Sequence, residues 1–148
     1  MTTEKRATIR LERRFQATPR RVFEAWTDPG KVEKWIASAT SGEETVRIDL
    51  KARVGKAFTL LVQRGDELVS HSGEFLEVVP GRRLVFTWVV SVISKETTLV
   101  SVDLNPVPSI YGGTDLLLTH ERILPTEMSR TAAKWNDILG SIAALVHS

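Results

Sequence analysis

The chain has 148 residues, 42% of them apolar and 26% charged, with a formal net charge of +2. That length suits one domain able to bury about 68 to 70% of its unfolded surface, and the composition excludes the low-hydrophobicity, high-charge signature of disorder. The absence of cysteine excludes disulfides, thiolate metal sites and thiol nucleophiles.

The N-terminus, Met-Thr-Thr-Glu-Lys-Arg, leads into alternating charged residues rather than an apolar signal segment, and no later run approaches the roughly 18 apolar residues of a membrane span. A cytoplasmic protein without a membrane span is expected. Charge is mildly uneven: residues 1–34 hold nine Lys or Arg against five Asp or Glu, leaving −2 for the remainder. Arg13-Arg14 and Arg20-Arg21 sit at a strand end and in a first helical turn, without the clustered cations and stacking aromatics of a nucleic-acid face. They read as solvated surface, and no nucleic-acid partner is expected.

From Thr8 to Phe15, Ile9, Leu11 and Phe15 alternate with charged residues in the period-two pattern of a half-buried strand. Ala17-Thr18-Pro19 supplies a helix cap and a first-turn proline, and Val22, Phe23 and Trp26 then share one helical face until Asp28-Pro29-Gly30. Val32, Trp35 and Ile36 predict a second short helix over Lys31 to Ala37.

Period two returns at Thr45 through Val46, Ile48 and Leu50, breaks at Gly55, and resumes with Phe58, Leu60 and Val62. Gly65-Asp66 is a tight connection into a strand from Leu68 to Val79, in which Gly73 marks a bulge or bend. Pro80-Gly81 turns the chain into Leu84, Phe86 and Trp88. Val100, Val102 and Leu104 form one face of the next strand. Leu116, Leu118 and His120 do the same for the last, giving seven strands.

Thr126 to Val146 places Met128, Ala132, Trp135, Ile138, Leu139, Ile142, Leu145 and Val146 on one helical stripe. A helix of about twenty residues is roughly 30 Å long, enough to span a sheet. The order predicts an α+β domain in which a curved seven-stranded antiparallel sheet wraps a long C-terminal helix, with two short helices after strand one. No linker or repeat divides residues 1–148, and the core is expected over about 8–146.

Trp26-Thr27-Asp28-Pro29, the hairpin Gly73 to Trp88, Leu116-Leu117-Leu118-Thr119-His120-Glu121 and Trp135-Asn136-Asp137-Ile138-Leu139 resemble the activator of heat-shock-protein-90 ATPase homologue family, within the START-like, birch-pollen-allergen-like (SRPBCC) superfamily. The resemblance runs from about Ile9 to Leu145. It implies a helix-grip fold with an internal apolar cavity. After Trp35 this chain has Ile36-Ala37-Ser38, where the family often has a second tryptophan and a Gly- or Pro-containing turn, which implies a remodelled cavity mouth. The superfamily spans lipid carriers, receptors, cyclases and chaperone activators, so function must be argued from the site.

The candidate ligand-binding residues are Trp35, Phe58, Leu60, Phe86, Trp88, Val100, Val102, Leu116, Leu118, His120, Trp135, Ile138, Leu139 and Ile142. Trp35, Trp88 and Trp135 each read either as ordinary core or as the lining of one shared space, and Trp26 reads as core. His120 is a hydrogen-bonded structural residue, a ligand contact or a general acid or base. His71 and His147 read as edge and terminal residues. Asp103, Glu74, Glu77 and Glu121 are expected to face solvent.

Three scattered histidines give no metal spacing, and Gly112-Gly113 lacks the context of a phosphate loop. No catalytic residue, cofactor or metal is therefore assigned. The leading expectation is a domain binding a small hydrophobic or aromatic molecule, as a monomer or homodimer. The alternatives are a module with a chaperone partner and a cyclase- or hydrolase-like enzyme centred on His120.

Overall fold

The computed structural model describes residues 5–37, 42–93, 95–108 and 112–147. Met1 to Glu4 and the Ser38 turn position lie outside them. Seven strands form one antiparallel sheet in the order β1-β7-β6-β5-β4-β3-β2. They are β1 (Ala7–Phe15), β2 (Glu43–Asp49), β3 (Ala57–Arg64), β4 (Glu67–Val79), β5 (Arg83–Val90), β6 (Thr98–Pro106) and β7 (Thr114–Ile123). Helices α1 (Pro19–Thr27) and α2 (Pro29–Ile36) follow β1, and α3 (Met128–Val146) closes the chain after a 3-10 turn at Pro125–Glu127. This is the α+β helix-grip architecture that the sequence predicts.

The short helices are set by their caps. Thr18 Oγ1 accepts from Arg21 N at 3.2 Å and Asp28 Oδ1 accepts from Gly30 N at 2.9 Å, with Pro19 and Pro29 in the first turns. Asp28 is both the end of α1 and the N-cap of α2, so α2 begins two residues before the predicted Lys31. A proline that stops one helix also starts the next.

The bend in β4 differs in detail from the expectation. Its bulge falls between Phe75 and Glu77, where the register against β5 slips by one residue. Gly73 has another reason to be glycine: a Cβ there would lie 1.8 Å from the Thr87 carbonyl oxygen and 2.7 Å from its carbon. Only a residue without a side chain lets β4 and β5 approach so closely.

Inward positions of the strands pack beneath α3. Trp135, Ile138, Leu139, Ile142 and Val146 are the buried stripe of that helix, which packs against β1, α1 and α2. Val100, Val102, Leu116 and Leu118 are buried at 1% exposure or less. On the opposite face of the sheet, Arg83 pairs with both Asp103 and Glu77. Glu74 and Glu77 are exposed, whereas Asp103 and Glu121 are half-buried.

Candidate functional site

A cavity of about 130 Å³ lies between the first three turns of α3 and the sheet. Its apolar wall comes from Trp88 and Val90 of β5, Val92 and Ile93 beyond it, Ile123 and Leu124 at the end of β7, and Trp135 and Ile138 of α3. Its polar wall comes from His71, Thr98, His120 and Thr131. Arg6, Arg64, Arg122, Arg130 and Lys134 also line it, against Glu96 and Glu127.

Of the predicted ligand contacts, Trp88, His120, Trp135 and Ile138 meet at this cavity. Trp35, Phe58, Leu60 and Phe86 line a second, smaller space of about 20 Å³, with Trp88 as the wall common to both. Val100, Val102, Leu116, Leu118, Leu139 and Ile142 are buried core and line neither. The three tryptophans expected around one space are thus divided. Trp26 stands between them, 5.3 Å from Trp35 and 6.0 Å from Trp135 by ring centroids, and Trp88 is 5.2 Å from Trp135.

His120 is held by donors and acceptors whose roles can be derived. Trp135 Nε1, a donor only, reaches His120 Nδ1 at 2.9 Å, so Nδ1 accepts and the ring proton is on Nε2. Nε2 then donates to Thr98 Oγ1 at 2.7 Å, and the Thr98 hydroxyl donates to the Trp88 carbonyl at 2.7 Å. A single chain of hydrogen bonds thus ties α3, β7, β6 and β5 together. Burial pushes the His120 pKa down to about 4, because a charged ring would be desolvated. A proton on Nδ1 would also face the Trp135 N–H. With both nitrogens engaged, His120 has no free lone pair with which to take a proton from a substrate.

His71 is not an edge residue: it is 5% exposed, on the inward face of β4, and its ring centroid is 5.4 Å from that of Trp88. Its Nδ1 lies 3.3 Å from the Leu60 carbonyl. Burial pushes its pKa down to about 4, with Lys134 and Arg64 adding to the effect and the Leu60 carbonyl and Glu43 opposing it. The alternation Val69, His71, Gly73, Phe75 carried the signal for this inward position. Thr98 likewise shares its parity with Val100 and Val102.

Glu43 had no such signal. It sits at the start of edge strand β2, is 6% exposed, and receives Arg64 Nε at 2.9 Å on one oxygen and Lys134 Nζ at 3.0 Å on the other. Its burial depends on partners 21 and 91 residues away. Charged groups are seldom buried unless paired in this way. His147, expected as terminal, is exposed and accepts from Gln16 N through Nε2 at 2.9 Å.

Arg122 is the one described non-glycine residue with positive φ, at 69°. Its left-handed conformation costs on the order of 1–2 kcal/mol and accompanies a register shift between β1 and β7. The shift lets Ile123 turn inward, where it is 3% exposed at the cavity wall. Among the described residues no three His, Cys, Asp or Glu side chains group to hold a metal ion, and no helix is long and apolar enough to cross a membrane.

A curved antiparallel sheet gripping its last helix, with an apolar space beneath that helix, defines a helix-grip domain of the START-like class, a fold family associated in general with ligand binding. Residues 16–147 match the family described as Activator of Hsp90 ATPase homolog 1-like protein, and the chain belongs to that family. It is similar to a crystal structure from Chromobacterium violaceum at 28% identity, with a TM-score of 0.84 and coverage of 95% of this chain and 98% of that one. The AHSA1 protein of Silicibacter pomeroyi shares the fold at 24% identity and a TM-score of 0.78, covering 95% and 98%. CalU16 of Micromonospora echinospora does so at 24% and 0.69, covering 98% and 87%. No curated protein matches the chain.

Proposed function

We propose that this chain binds a small hydrophobic or aromatic molecule in the cavity between α3 and the sheet. The observation that carries the reading is the apolar wall of Trp88, Trp135, Ile138 and Ile123 around about 130 Å³. An apolar cavity of roughly 150 Å³ holds benzene in another protein, whereas drug-sized ligands occupy about 300–1,000 Å³. The space therefore suits a one-ring molecule or a short acyl chain rather than a sterol. Saturation of the His120 hydrogen bonds supports binding over catalysis at that residue.

A thermal-shift and native mass-spectrometry screen of the purified chain against one-ring aromatics, short-chain lipids and sterols tests it. Stabilisation by the first two classes and not by sterols is expected. If none of the three binds, the proposal fails.

A further inference from the structure

The polar atoms facing the cavity are unequal. Thr98 and His120 satisfy one another and their neighbours, while His71 keeps one nitrogen open. The Leu60 carbonyl near Nδ1 can only accept, so the His71 proton is on Nδ1 and the lone pair is on Nε2. Among the described residues nothing donates to Nε2. Nε2 is not a buried orphan: it opens onto the cavity, where water can reach it, and a ligand donor would take the place of that water.

We infer that the ligand is a one-ring phenol-class molecule, its ring against Trp88, Trp135 and Ile138 and its hydroxyl donating to His71 Nε2. This rests on the reading that the cavity takes a small aromatic. A carboxylate is disfavoured at His71 because the lone pair repels it, and Glu43 already occupies the adjacent cations Arg64 and Lys134. An ammonium group would have to shed its water against an apolar wall, beside a Glu43–Arg64–Lys134 triad that keeps a net positive charge. A neutral donor remains, and a phenol is a stronger one than an aliphatic alcohol because the ring delocalises charge on its oxygen. The ring volume fits the space, and the Trp88 ring lies beside His71 at a tilt of 42°, so both halves of the molecule meet matching walls.

The experiment titrates the full chain with phenol, anisole, toluene and benzoate, following tryptophan fluorescence and calorimetric heat, and repeats the series on His71→Leu. Phenol should bind about tenfold more tightly than anisole or toluene, the effect of one net hydrogen bond of about 1.4 kcal/mol. In His71→Leu, with fold checked by circular dichroism, the ratio should fall to about one while toluene binding persists. Equal binding of phenol and anisole by the unaltered chain overturns the inference and leaves the broader proposal standing, whether or not the variant folds. Benzoate as the tightest ligand overturns it in favour of recognition by the cationic rim. Binding of none of the four overturns the inference, and the broader proposal falls with it if short-chain lipids also fail to bind.

Discussion

Acidification should destabilise this domain above the range in which carboxylates titrate, through its two buried histidines. Both have folded-state pKa values lowered from 6.5 to about 4. Between those values the unfolded chain binds a proton that the folded chain refuses, so stability is complete above about pH 6.5 and falls as pH falls. From pH 7 to pH 5 each histidine should remove about 2 kcal/mol, reaching about 3 kcal/mol near pH 4, at about 1.4 kcal/mol per pH unit. The pair would then remove roughly 4 kcal/mol by pH 5, a large share of the 5–15 kcal/mol typical of a domain. Glu24 and Asp115 also have lowered pKa values, through Arg20 and Lys31 and through Arg14. Stability held by them is lost only as pH falls into the carboxylate range. Urea midpoints at pH 7, 6 and 5 measure the effect, with His71→Gln and His120→Gln each removing about half of the slope and the double variant nearly all. A double variant as acid-sensitive as the unaltered chain would refute the reasoning.

Two glycines should respond oppositely to alanine. Gly73→Ala drives a Cβ into the Thr87 backbone and should cost at least about 3 kcal/mol, seen by calorimetry as a fall of about 10 °C in Tm. Gly140→Ala, whose Cβ would meet nothing closer than Arg13 at 4.0 Å inside α3, should raise stability by up to about 1 kcal/mol. Glu43→Gln leaves Arg64 and Lys134 without their shared carboxylate. Because those side chains are 45% and 31% exposed and can rehydrate, the loss in urea unfolding should be about 2 kcal/mol rather than the 3–5 of a fully buried pair. Trp88→Leu removes the wall between the two cavities. It should cost about 2–3 kcal/mol and admit naphthalene, which the unaltered chain should exclude in the same calorimetric titration.

The architecture was legible because period-two runs and one long apolar helical stripe leave few ways to bury their faces. Trp135, Ile138, Leu139 and Ile142 fell on the inward stripe of α3 as predicted. The boundary at Pro29 was missed because one Asp-Pro pair serves both helices. Within the site, pattern reading placed Trp88, His120 and Trp135 at the interior, but it could not divide core from cavity lining. That division depends on how Trp26 fills the space between Trp35 and Trp135. His71 was present in the alternation of β4 and was passed over. Glu43 was beyond reach, since its environment exists only after β2, β3 and α3 have met.

That dependence on distant partners also has a bearing on time. Glu43 and Lys134 are 91 residues apart, so closing the chain between them is entropically costly until the sheet and α3 are already in place. The tie from β2 to α3 should therefore form after the folding transition state. Its loss in Glu43→Gln should appear in stopped-flow kinetics as unfolding faster by about thirtyfold, for a loss of about 2 kcal/mol, with refolding unchanged. The buried carboxylate would then govern how long the helix stays gripped, and how rapidly a ligand beneath it can leave.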